Sequence, residues 1–101
     1  MKWYHKGLQP RLRAGGAIHN CNMHYVYLLK SEKDHGYYIG FTNDLKRRFY
    51  EHSNRLVTST KNRNPLRLIY YEGFENEKAA RKREQQLKLF GSAYNSLLKR
   101  L

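Results

Sequence analysis

Two short runs of β-branched and aromatic residues, joined by a brief polar connection, constrain this chain more than any other feature. Residues 24–30 are HYVYLLK and residues 37–41 are YYIGF. Neither run contains proline, and both are rich in residues that favour extended backbone. The connection SEKDHG is polar and ends in Gly36, the composition of a turn. It is far too short for a parallel crossover, so the two runs are expected to pair as an antiparallel hairpin. Alternation then puts Tyr25 and Tyr27 on one face and Val26 and Leu28 on the other. Pairing across the hairpin brings Tyr27 close to Tyr38 or Tyr37.

The rest of the chain builds on that hairpin. Thr42, Asn43 and Asp44 offer helix N-caps. Leu45, Phe49 and His52 follow at helical spacing, with Leu56 one turn further, which predicts a helix from about Asp44 to Arg55. Residues 57–65, VTSTKNRNP, form a loop closed by Pro65. Residues 66–74, LRLIYYEGF, form a third strand, whose apolar run suggests a central, buried position. Asn76 is the expected cap of a second helix that runs to Phe90 and is closed by Gly91. On it Ala80, Glu84 and Leu87 share a face. A short third helix follows, with Ser92 as a possible cap. The order is β-β-α-β-α-α: an α+β fold with a small three-stranded antiparallel sheet flanked by helices.

Composition decides what such a domain meets. The chain has 101 residues, with 20 Lys and Arg against 8 Asp and Glu, a formal charge of +12. Residues 1–22 carry Lys2, Lys6, Arg11 and Arg13 and no acid, so residues 23–101 keep +8. The basic excess therefore belongs to the folded part and points to a polyanion, nucleic acid before an anionic membrane surface. Residues 1–22 show neither helical nor strand periodicity. They are expected to be a disordered basic arm or a mis-called extension ahead of a natural start at Met23, with the domain over 23–101. The single cysteine, Cys21, excludes an intramolecular disulfide framework and a cysteine-cluster zinc site. No stretch is apolar enough to span a bilayer or to serve as a signal-peptide core, so the expected location is cytoplasmic.

Three residue types suggest chemistry on phosphate. Two phenols beside a phosphate can position or deprotonate a water, although tyrosines also pack well in small sheets. Arg48 and His52 stand at i, i+4 on one helix face. A guanidinium can hold a phosphate in its fork, and an imidazole is the usual proton shuttle. Each could equally be a surface charge or a hydrogen-bonded helix residue. Glu84 lies on an inward-looking face of a basic helix, where a carboxylate must be paired or bind a cation. An ion pair with Lys88 or Arg81 would satisfy it as well as a divalent metal. Lys46, Arg47, Lys61, Arg63 and Arg67 are candidates for sequence-independent backbone contacts.

Taken together, Tyr-Val-Tyr at 25–27 and Tyr-Ile-Gly at 38–40 resemble the two half-motifs of the GIY-YIG nuclease superfamily. TNDLKRRFYEH (42–52) is similar to the family's first helix. STKNRNPLRLIYYEGF (59–74), ARKREQQLK (80–88) and the closing GSAYNSLLKRL (91–101) resemble its small single-domain bacterial branch. The first half-motif departs from the family name by having Tyr25 in place of glycine. The resemblance implies roles residue by residue. Tyr27 would activate or position the attacking water, and Tyr38 would lie near the scissile phosphate. Arg48 would stabilise the pentacovalent phosphate, and His52 would assist proton transfer. Glu84 would hold a single divalent metal, Mg²⁺ or Mn²⁺, and Gly40 would keep the backbone clear beside the site. The implied activity is metal-dependent endonucleolytic cleavage, of DNA first, with low sequence specificity and a place in repair or recombination. The competing expectation is a nucleic-acid-binding module, or a partner of a repair protein, with little activity of its own.

Overall fold

The computed structural model describes residues 23–101; the expectations placed on residues 1–22 lie outside the described residues. The elements are β1 (His24–Ser31), β2 (Tyr37–Thr42), α1 (Leu45–Ser53), β3 (Leu66–Phe74), α2 (Glu77–Lys88) and α3 (Ser92–Lys99). The sheet is antiparallel throughout, in the order β2-β1-β3. The expected fold class and element order hold. No described helix is long and apolar enough to cross a membrane.

The first strand, not the third, is central. β1 hydrogen-bonds to β2 on one side and β3 on the other. It buries both faces, which explains why its middle is apolar at consecutive positions. Val26 and Leu28 pack with Ile39 under Ala80, Leu87 and Leu97 of α2 and α3. Tyr27 and Leu29 pack with Leu68 under Leu45 and Phe49 of α1. Each buried Val, Leu or Ile among them contributes roughly 1.5–3 kcal/mol by leaving water. The apolar run of β3 has another cause. Its register slips against Leu28 and Leu29, which pair with Tyr70 and Leu68 and leave Ile69 unmatched. The slip is a β-bulge. It turns both Ile69 and Tyr70 to the α2 and α3 layer, while Leu68 and Tyr71 face α1.

Helix limits follow local chemistry. The Asp44 side chain accepts from the Arg47 amide at 3.1 Å and caps α1. That helix stops at Ser53, because Arg55 takes a left-handed φ of 61°, so Leu56 never joins the apolar stripe and is 67% exposed. Asn76 caps α2 as expected, accepting from Ala79. The helix ends at Lys88 rather than Phe90, and Phe90 itself, at φ 56°, takes the left-handed position assigned to glycine. Its ring is held edge-on against Tyr94 at 4.9 Å. α3 begins without a side-chain cap: Gly91 holds the cap position and Ser92 is already helical.

Candidate active site

Tyr27 is the centre of the site, and Gly40 makes its position available. The two residues face each other across β1 and β2. A Cβ on Gly40 would stand 2.3 Å from Tyr27 Cζ and Oη, so the phenol lies across the β2 backbone where only glycine leaves room. The Tyr27 hydroxyl is 2.8 Å from His52 Nε2, and His52 Nδ1 is 2.7 Å from Thr60 Oγ1. His52 and Thr60 are fully buried, and Tyr27 is 3% exposed. Tyr38 completes the aromatic wall, with its ring 6.4 Å from Tyr27 and 5.2 Å from His52, edge-on to the imidazole. Ser59 donates to its hydroxyl at 3.4 Å. Tyr37 points to the other layer, against Tyr94.

Charge is arranged around the Tyr27 phenol. Burial pushes its pKa up to about 12; the adjacent Arg48 guanidinium opposes the shift, while the charge of Glu84 adds to it. The two helices on opposite faces of the sheet thus bring Arg48 and Glu84 to one group. Arg48 Nη1 donates to Glu51 at 2.9 Å. The Glu84 carboxylate is 15% exposed and pairs with Lys88 Nζ at 2.9 Å, the local partner anticipated from sequence; Arg81 pairs with Glu77 instead. Among the described residues no three His, Cys, Asp or Glu side chains come together. A cation here would rest on one protein carboxylate. That fits Mg²⁺, which keeps water and phosphate oxygens in most of its positions.

Five of the expected site residues are therefore neighbours, Tyr27, Tyr38, Gly40, Arg48 and His52, and Glu84 is linked to them through the effect of its charge on the Tyr27 phenol. The expected backbone contacts divide. Lys46 and Arg47 lie exposed on α1 beside Arg48, Arg47 with Glu51 at 3.6 Å. Arg63 and Arg67 are tied to Asp34 and Glu32 at the turn end of the sheet. Arg63 holds the Asp34 carboxyl down at about 2. Lys61 is exposed on the loop before β3. The residue missed from sequence is Thr60. Nothing in VTSTKNRNP separates it from the exposed Thr58; only the fold of the loop aims it at the imidazole.

His52 carries a stability prediction that does not depend on activity. Burial, with the Arg48 charge, drives its pKa down to about 4 from 6.5. The unfolded chain therefore takes up a proton that the native state refuses between those values. Stability is full above about pH 6.5 and falls as pH drops toward 4. The loss between pH 6.5 and 4.5 is expected to be about 2–3 kcal/mol, read from urea unfolding. His52→Gln, which cannot titrate, should flatten that part of the profile; an unchanged slope in the variant would remove His52 as its source.

Comparison with known proteins gives the family. The GIY-YIG catalytic domain family matches residues 23–96. The chain belongs to the GIY-YIG family, and so to the nuclease superfamily built on that domain. Its relatives within that family are UPF0213 proteins. It is 43% identical over 67 residues to the UPF0213 protein CPE1444 of Clostridium perfringens, spanning 65% of this chain and 71% of that one. It is 38% identical over 68 residues to the UPF0213 protein SSP2268 of Staphylococcus saprophyticus, spanning 66% and 82%. The solution NMR structure of the UPF0213 protein BH0048 from Bacillus halodurans is similar at 31% identity and TM-score 0.48, covering 75% of this chain and 81% of that one.

Proposed function

We propose that this chain is a metal-dependent endonuclease that hydrolyses nucleic-acid phosphodiesters, DNA first and with little sequence preference, in repair or recombination. One observation carries the reading: a buried phenol bonded to an imidazole lies within electrostatic reach of both Arg48 and Glu84. A module that only binds nucleic acid has no use for a half-buried carboxylate at that place.

The residues divide the work. Arg48 spends one nitrogen on Glu51, lies beside the Tyr27 hydroxyl, and offers its remaining donors to the phosphate, where charge accumulates as the pentacovalent state forms. Tyr27 orients the attacking water through its hydroxyl oxygen. With His52 Nδ1–H donating to Thr60, Nε2 is left as an acceptor, and the Tyr27 hydroxyl can pass its proton inward as it takes one from water. His52 is fully buried, so it acts through Tyr27 and not on substrate. Tyr38 faces the phosphate with its hydroxyl. Glu84 would hold Mg²⁺ or Mn²⁺ in place of its bond to Lys88. A bound divalent ion would stabilise charge on the phosphate and leaving oxygen and acidify water.

The competing reading, a binding module with little activity, draws on the high pKa of Tyr27, which leaves the phenol protonated at neutral pH. The test is incubation with labelled single-stranded, duplex, flap and branched DNA, and with RNA, in Mg²⁺ or Mn²⁺, beside Glu84→Gln. Cleavage should fall by about 10²-fold or more in the variant. Cleavage that survives would remove the metal assignment to Glu84. Binding by the wild type without cleavage under either metal would favour the module.

A further inference from the structure

A cleft of about 320 Å³ opens beside Arg48, between the end of β2 and helices α1 and α2. Its size lies at the lower end of ligand pockets, enough for one phosphate and its sugar. Guanidinium groups reach it from both helices: Arg47 and Arg48 from α1 and Arg81 from α2. One carboxylate, Glu77, also lines it, and is outnumbered.

Arg81 is the informative residue. Its guanidinium lies 4.1 Å over the Phe41 ring, and Nε donates to Glu77 at 2.9 Å. No other hydrogen bond of Arg81 occurs among the described residues, so both Nη nitrogens remain for a ligand. Arg63 and Arg83 differ: each gives Nε and Nη2 to a single carboxylate. Arg81 is thus fixed in direction by stacking and one bond while its fork stays open, a preorganised anion contact. The cleft wall also contains His24, stacked on Phe41 at 6.1 Å. Its Nδ1 is the one buried side-chain polar atom without a partner among the described residues. A buried polar atom left unpaired is costly and calls for an explanation, which a ligand in the cleft would supply.

We infer that this cleft holds the backbone phosphate adjacent to the one hydrolysed, with Arg81 as its principal ligand and Arg47 beside it. The inference rests on the nuclease reading, because Arg48 is what joins the cleft to the candidate site. Its substrate class is a polynucleotide with a charged linkage on the cleft side of the scissile bond, recognised without regard to base.

The test reads binding, not cleavage. A single-stranded oligonucleotide short enough to be bound in one register is scanned with one neutral methylphosphonate linkage at a time, and affinity is measured by fluorescence anisotropy over a range of salt. In the wild type one linkage beside the cleavage position should be sensitive, its neutralisation weakening binding about tenfold. Arg81→Gln should weaken the unmodified strand similarly and lower the salt slope by about 0.7 for the lost contact. In that variant the sensitive linkage should no longer matter. Lys99→Gln, the same charge change at the exposed end of α3, should leave all three readouts unchanged. Wild-type affinity and salt slope in Arg81→Gln, or a linkage that stays sensitive without Arg81, would overturn the subsite alone. Failure of the wild type to bind any oligonucleotide would overturn the nuclease reading beneath it.

Discussion

Replacing Arg48 by alanine is expected to lower the cleavage rate by about 10²–10³-fold while leaving the fold in place. The size follows from the role: removing one preorganised donor aimed at developing charge costs that much in other hydrolytic sites. The fold should survive because the side chain is 35% exposed and its one ion pair, to Glu51, is a helix-surface pair worth little. The loss should fall on kcat, since the charge that Arg48 answers appears only as the pentacovalent state forms. Arg48→Lys should recover little, because an ammonium cannot reproduce the planar fork. A second consequence follows from electrostatics. Arg48 opposes the burial that raises the Tyr27 pKa, so the alanine variant should hold its phenol protonated to still higher pH. Steady-state kinetics of purified variants, with thermal melts as the control, decide the matter. A rise in KM at constant kcat would make Arg48 a binding contact and nothing more.

What was legible in the sequence was what depends on near neighbours along the chain. The hairpin, the two faces of β1, the Asp44 and Asn76 caps, and the shared face of Ala80, Glu84 and Leu87 are all period-two, period-3.6 or capping arguments, and the structure contains each of them. The apolar run of β3 does not make that strand central, because such a run does not say whether a strand is buried by two neighbours or bent by a bulge. Ile69 and Tyr70 face one layer only because the register slips, and register is a property of the pair. α2 ends earlier than its pattern suggests: glycine is the usual left-handed residue there, whereas here Phe90 takes that conformation, with its ring edge-on to Tyr94.

The candidate site shows the same division. Tyr27, Tyr38, Arg48 and Glu84 were visible through the motif, and His52 through its helical spacing from Arg48. Thr60 was not, because its partner lies eight residues back on another element and a buried threonine in a polar loop has no signature. Charge counting also misled about the surface. Of the arginines expected to touch nucleic acid, Arg63 gives two nitrogens to Asp34 and Arg67 gives Nε to Glu32. Arg81, which no pattern marked as a contact, gives only Nε to Glu77 and stands in the cleft beside Arg48. Net charge identifies the kind of partner; only pairing in the fold identifies which cations remain to meet it.

Gly40→Ala tests the geometry at its narrowest point, and is expected to cost about 2–5 kcal/mol and to remove activity together with stability. The backbone at Gly40 needs no left-handed φ, so the reason for glycine is space alone. The added methyl would stand 2.3 Å from the Tyr27 ring, and the ring has nowhere near to go. It is 3% exposed, bonded to His52, and packed with Leu29, Leu45 and Leu68. Displacing it leaves His52 Nε2 unpaired, about 1–3 kcal/mol, and overpacks the sheet face by about as much again. A double-mutant cycle separates this account from a general intolerance of β2 to substitution. Tyr27→Ala alone should cost about 3–5 kcal/mol by leaving a cavity. With the ring gone, the alanine at position 40 meets no obstacle, and Gly40→Ala should then cost almost nothing. The expected coupling is about 2 kcal/mol or more, read from urea unfolding of the four proteins. Strict additivity would mean that Gly40 is needed for some reason other than the passage of Tyr27. The site would then lose the feature that ties its first tyrosine to the glycine of its second half-motif, two residues thirteen apart in sequence and paired across neighbouring strands of the sheet.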